Sequence, residues 1–285
     1  MDQSVEQPQQ PLVTDGTKSW ERASVDADHE LLTEFLEEVA ATETIRNASS
    51  VAIERMRLQP GAVALDVGCG TGIFLSALAR AVGDTGQIVG LDHGAGFLAD
   101  ARARADGEGF SPIVSLTLAD AHRLPFPNDH FDAAHTERVL MHLEDPDQAL
   151  RELIRVVRPG GWVVCVEPDL RGMRVDHPDS YRVSKIMSGF CASIRYPEMG
   201  LELNRRMAQV GLEPRTIDVL TEVSHDYDEA AAEYFTTAAR VAADNGWITP
   251  ADAEGTLVEL QQAADDGIFT SYASMFVVAG QVPKD

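Results

Sequence analysis

The chain has 285 residues, enough for one large domain or one domain with an embellishment, and carries 46 acidic against 23 basic residues, a formal net charge of −23. That charge repels phosphate backbones and anionic membrane surfaces, so nucleic acid is not an expected partner. No apolar run approaches a membrane span and Met1-Asp2-Gln3-Ser4 lacks a basic, then apolar leader pattern, so no membrane association and a cytoplasmic location are expected.

Residues 1–19 are rich in Gln and Pro without apolar periodicity, which predicts a disordered tail ahead of a single domain over 20–285. From Asp26 a helical pattern carries Leu31, Leu32, Phe35, Leu36 and Val39; a second carries Ile45, Val51, Ile53, Met56 and Leu58 until Pro60-Gly61 stops it. Two helices within 26–58 therefore precede the first strand.

An apolar β-run, Ala62 to Val67, ends in Gly68-Cys69-Gly70-Thr71-Gly72 and passes into the helix-periodic Ile73, Phe74, Leu75, Leu78, Ala79 and Val82. This reads as strand, tight turn, helix, with a helix start that presents free N–H groups to a ligand. Ile73 stands where a dinucleotide fingerprint wants Gly or Ala, so the pattern suits pyrophosphate poorly. A second run, Gln87 to Leu91, ends at Asp92, whose carboxylate can accept both hydroxyls of a ribose, with His93 next to it. A third, Ile113 to Leu118, ends in Ala119-Asp120-Ala121. Three consecutive strand ends thus deliver Gly or Asp to one sheet edge.

Strands at 131–135 and 160–167 flank a helix at 146–157; then follow a helix from Met199 to Val210, a strand from Pro214 to Val223 and a closing strand from Ser271 to Gln281. The alternation predicts an α/β fold with a doubly wound, mostly parallel seven-stranded sheet. Between the sixth and seventh strands, residues 227–267 exceed what a hairpin needs. Tyr234-Phe235, Ala238, Val241, Leu257, Leu260 and Ala264 recur there at helical spacing, broken at Asn245-Gly246 and Thr249-Pro250, which predicts a helical cap insertion over the sheet edge. Cys69, Cys165 and Cys191 form neither a disulfide framework nor a metal-ligand spacing, so they read as reduced, and no metal is expected.

From Asp66 through the glycine turn and Asp92, the sequence resembles the class I S-adenosylmethionine-dependent methyltransferases, in particular the small-molecule branch that includes the ubiquinone/menaquinone-biosynthesis enzymes. The resemblance continues through Phe131-Asp132-Ala133-Ala134-His135, Arg138 to Pro146 and Leu150 to Gly161, and covers roughly residues 45–170. It implies a Rossmann-like sheet whose last strand inserts antiparallel beside the fifth. It also implies S-adenosyl-L-methionine as cofactor, with Asp66 and Gly68, Cys69, Gly70 and Gly72 at its methionine end. Asp92 and His93 then serve its ribose, Asp120 and Ala121 its adenine, and His135 its sulfur end. In that family an N-terminal helix pair usually packs over the cofactor mouth.

Methyl transfer from a sulfonium chiefly needs in-line placement, plus a base when the acceptor is a hydroxyl or an activated carbon. Candidate bases near the fourth and fifth strand ends are His135, Glu137, His142, Glu144, Glu167 and Asp169. His142, expected on the helix after the fourth strand, reads better as a scaffold hydrogen-bond partner, and Glu144 adjoins a helix cap at Pro146. His135, Glu137 and Glu167 remain the catalytic candidates. The Asn/Asp-Pro-Pro-aromatic motif of amino-directed nucleic-acid and protein methyltransferases is absent where His135-Thr136-Glu137-Arg138 stands, which points to a small diffusible acceptor. Two other readings stay open: a nucleotide-dependent oxidoreductase, and a cofactor-binding module without methyl transfer. A homodimer is also left open.

Overall fold

The computed structural model describes residues 29–284 apart from Ser193, Pro214 and Asp228; the predicted tail, Trp20 and the helix start at Asp26 lie outside the described residues. Helices α1 (His29–Ala41) and α2 (Glu43–Met56) come first. Thr42 separates them: its extended backbone ends α1, and its hydroxyl accepts from the Ile45 N–H at 3.4 Å to cap α2. Ile45, Ala48, Ala52 and Met56 then repeat at helical spacing and bury one face of α2 against the sheet.

The remaining elements are β1 (Val63–Val67), α3 (Ile73–Val82), β2 (Gln87–Asp92), α4 (Ala95–Glu108), β3 (Val114–Leu118), β4 (Phe131–Glu137), α5 (Pro146–Val156) and β5 (Val157–Val175). After these come α6 (Ser180–Ala192), α7 (Met199–Gln209), β6 (Arg215–Ser224), α8 (Glu229–Asp244), α9 (Pro250–Asp265) and β7 (Ser271–Gln281). The strands form one sheet in the order β3-β2-β1-β4-β5-β7-β6. The first five run parallel, and β7 lies antiparallel between β5 and β6, as the family resemblance implies.

Period-2 alternation splits the core between the two faces of the sheet. Ala64, Ala133 and Val164 face α2, α3 and α4; their chain neighbours Leu65, Ala134 and Val163 face α5 and α7. Helix α5 shows the local logic. Asp145 caps it by accepting from the Gln148 N–H at 2.9 Å, Pro146 sits in its first turn, and Ala149, Leu150, Leu153 and Val156 bury one stripe. Each of those larger apolar side chains contributes about 1.5–3 kcal/mol on burial.

Two local expectations are corrected. The fifth strand, read as ending at 167, runs to Val175, because Arg174 and Val175 pair again with Tyr272 and Ser271 beyond an irregularity after Asp169. His142 lies in a turn, not on a helix: Arg138 has a left-handed φ of 55° and the next helix begins only at its Asp145 cap. The extension of β5, with α6, α8 and α9, carries a satellite apolar cluster that includes Phe235, Leu260 and Phe269.

Candidate cofactor and acceptor site

Strand order reverses between β1 and β4, so the loops leaving their carboxyl ends diverge and open a crevice. The turn after β1 forms one wall. Gly68 has φ +75°, and a Cβ there would lie 2.2 Å from Val139 Cγ2; Gly72 has φ +80°, and its Cβ would press on Ala101 at 3.0 Å. Only glycine combines that conformation with that closeness. The Gly68 and Cys69 N–H groups both donate to the Leu91 carbonyl, at 2.7 and 3.0 Å, which ties the turn to the end of β2. Helix α3 starts at Gly72 with no side-chain cap, leaving its first amides available at the positive end of the helix dipole.

Asp92 is buried at the end of β2. Its Oδ2 accepts from the Gly70 N–H at 3.0 Å and its Oδ1 from the Gly94 N–H at 2.8 Å, while His93 Nδ1 stands 3.3 Å from Oδ1. Each carboxylate oxygen retains a second acceptor direction, so Asp92 can hold the turn and two ligand hydroxyls together. Asp66, in β1, meets His135, in β4, across paired strands, with Oδ1 2.8 Å from Nδ1 and both side chains essentially buried. A carboxylate can only accept, so Nδ1 carries the hydrogen, and the buried Nε2 has no hydrogen-bond partner. Phe74 stacks on the imidazole with centroids 3.7 Å apart and fixes its plane.

Asp66, Gly68, Cys69, Gly70, Asp92, His93, His135 and Glu137 all line one cavity of about 1500 Å³. Glu137 pairs there with Arg138 Nε at 3.4 Å. His142 and Asp169 line it too, whereas Gly72, Asp120, Ala121 and Glu167 stand apart from that lining. Asp120 is exposed, its Oδ1 accepting from the His122 N–H at 2.8 Å and facing His122 Nδ1 at 2.7 Å, and Ala121 belongs to the core on the α5 side. Glu167 is fully buried, and its Oε1 accepts from the N–H groups of Val139 and Leu140 at 3.0 and 2.7 Å, so it braces the turn that touches Gly68. Burial pushes its carboxyl up to about 8, against the pull of those two amides. His142 is driven the other way, down to about 3, by burial and then by the charges of Arg138 and His93.

One feature of the site left no trace in the sequence pattern. Glu37 of α1 accepts from the Thr71 hydroxyl at 2.9 Å and pairs with Arg104 of α4, whose Nε–H donates to the Thr71 carbonyl at 3.0 Å. His29 and Thr33 add contacts to Asp100 at 2.9 and 3.2 Å. These polar residues lie on otherwise ordinary helix faces, and only the fold brings them to the glycine turn.

The same segment carries the likeness to known proteins. Residues 65–165 match a family described as a methyltransferase domain. An uncharacterized 37.1 kDa protein in transposon Tn4556 of Streptomyces fradiae is 36% identical over 198 residues, 69% of this chain and 56% of that protein. The demethylmenaquinone methyltransferase of Desulfitobacterium hafniense is 37% identical over 116 residues, 41% of this chain and 46% of that protein. The chain thus spans about half the length of the curated relatives it matches. Among solved structures, the 4+2 cyclase SpnF shares the fold with a TM-score of 0.57 at 21% identity, over 95% of this chain and 98% of that one. Strand order, glycine turn and matched segment coincide: residues 65–165, from β1 into β5, are similar to a methyltransferase domain and sit in a fold shared with the cyclase.

Proposed function

We propose that this chain is an S-adenosylmethionine-dependent methyltransferase acting on a small molecule. The observation that carries the reading is the Asp92 carboxylate, buried at the end of β2 and bonded to the glycine turn, in a cavity that also receives Asp66 and His135. The residues fit the cofactor: Gly68 and Gly70, at left-handed φ, bring bare backbone to the cavity wall, Asp92 offers two ribose hydroxyls their acceptors, and His135 keeps a buried nitrogen without a partner. When bound, S-adenosylmethionine supplies an activated methyl group on a sulfonium.

The protein's task is then to orient an acceptor, keep water out and, where the acceptor loses a proton, receive it. Asp66 holds His135 with Nδ1–H inward, so Nε2 is the atom that can take that proton. Glu137 is a second base on the lining, while Glu167 is best assigned to bracing the turn at Val139 and Leu140. Helices α6, α8 and α9 form a cap on a single catalytic domain in this reading. Three free, buried cysteines support a reducing, cytoplasmic setting.

A fold hosts more than one chemistry, and the likeness to a cyclase keeps cofactor binding without methyl transfer as the second reading. The deciding experiment incubates the full chain with methyl-labelled S-adenosylmethionine and a panel of hydroxylated and amino acceptors, beside calorimetry with S-adenosylhomocysteine. Binding with label transfer supports the proposal. Tight binding with no transfer to any acceptor supports the second reading, and no binding removes both.

A further inference from the structure

Away from the glycine turn, the cavity runs beneath α6 and α8, where residues outside the matched 65–165 segment make its wall. The rings of Phe190 and Tyr234 lie with centroids 4.2 Å apart, and Tyr234 meets Phe235 edge to face at 5.4 Å. Met173, on the extension of β5, closes the group, and the Tyr234 hydroxyl donates to its Sδ at 3.4 Å. A thioether is a weak acceptor, so this hydroxyl loses little by turning to an oxygen of a bound molecule. Burial holds the Tyr234 phenol well above its ordinary range, so its hydrogen is present at every physiological pH.

The charged side chains on the cavity lining are mostly acidic. Glu137, Asp169, Glu222 and Asp226 line the cavity, and the guanidinium of Arg138 is already matched by Glu137. Over the whole lining, among the described residues, eight carboxylates face three arginines and no lysine. An acceptor bearing a phosphate or carboxylate would meet a lining on which carboxylates outnumber arginines. An apolar ring system instead gains contact with three aromatic faces and a polarizable sulfur.

Resting on the methyl-transfer reading, we propose that the acceptor is an apolar, oxygen-bearing compound without an anionic group, seated on Phe190, Tyr234 and Met173, with Tyr234 as its recognition donor. Calorimetry on the full chain with 1-naphthol, naphthalene and 1-naphthyl phosphate as probes tests this, with S-adenosylhomocysteine titrated into the same samples. The expected results are 1-naphthol binding at least about tenfold more tightly than 1-naphthyl phosphate, and Glu222→Lys narrowing that ratio. Tyr234→Phe should weaken 1-naphthol about fivefold and leave naphthalene within about twofold, a split that a purely structural role does not produce. Equal or tighter binding of the phosphate, no binding of 1-naphthol, or 1-naphthol affinity indifferent to Tyr234→Phe overturns the acceptor class, while retained S-adenosylhomocysteine binding leaves methyl transfer standing. Loss of S-adenosylhomocysteine binding in the wild type overturns the methyl-transfer reading and the acceptor with it.

Discussion

Asp66 and His135 sit opposite each other on the paired strands β1 and β4, and their side chains meet at 2.8 Å beneath the cavity. Parallel pairing sets this contact: Asp66 is the register partner of His135, so both side chains leave the sheet on the same face. An imidazole held this way has one nitrogen committed to the protein and the other, Nε2, without a partner.

The neutral His135 ring should therefore be the Nδ1–H tautomer, readable from its nitrogen chemical shifts by NMR. Asp66→Asn should scramble that preference, because an amide can also donate. A wild-type ring protonated at Nε2 instead would remove the proton-accepting role assigned to that atom.

Asp92→Ala removes the proposed acceptor for two ribose hydroxyls and frees the Gly70 and Gly94 amides. S-adenosylhomocysteine affinity should fall by roughly 2–4 kcal/mol by calorimetry. An unchanged dissociation constant in a folded variant would take the ribose role away from this residue.

Gly68→Ala should lose both cofactor affinity and stability, because a Cβ at φ +75° would sit 2.2 Å from Val139 Cγ2. A cost of about 1–3 kcal/mol in denaturant melts is expected. Val139→Ala in the same chain should recover part of it, leaving the strain of the left-handed backbone.

Glu167 yields a pH prediction. Its folded carboxyl, raised to about 8 by burial, binds a proton that the unfolded chain has released above about 4.5, so stability is full below the lower value and declines as pH rises toward the upper one. Denaturant melts should lose roughly 2–4 kcal/mol between these limits through this group. Glu167→Gln, which keeps an acceptor for the Val139 and Leu140 amides, should flatten the profile. A parallel profile in the variant would place the titration elsewhere.

Helix α1 should respond to Glu37→Ala. The ion pair with Arg104 is partly exposed and contributes only about 0.2–1 kcal/mol, so global melting should hardly change. Hydrogen exchange in α1 should nonetheless accelerate, with a faster release of S-adenosylhomocysteine, because this contact fastens the helix to Thr71. Equal α1 protection in both proteins would make the helix plain packing.

The architecture and the glycine turn were legible because each rests on local rules. Apolar runs of period 2 and 3.6 identify the strands and helices, and Gly68 and Gly72 mark backbone that no other residue fits. Gly or Asp after three strands marks one edge, since side chains and loops there share a direction. The helical pair within 227–267 was equally legible, as α8 and α9, because Asn245-Gly246 and Thr249-Pro250 break a clear period.

What only the tertiary structure decided depends on partners distant in the chain. Glu167 and His135 read alike as acids or bases at strand ends, but β5 turns Glu167 into the core, onto the amides of Val139 and Leu140, while β4 turns His135 toward Asp66 and the cavity. The run of β5 to Val175 follows from pairing with β7, about a hundred residues later, and no local pattern contains it. The strap of Glu37, Thr71 and Arg104, and the seat of Met173, Phe190 and Tyr234, likewise join segments by packing alone. Sequence alone determined the scaffold and its glycine-and-aspartate edge, because periodicity and backbone sterics act within a few residues; tertiary packing decided which titratable groups reach the cavity and which aromatic side chains wall it.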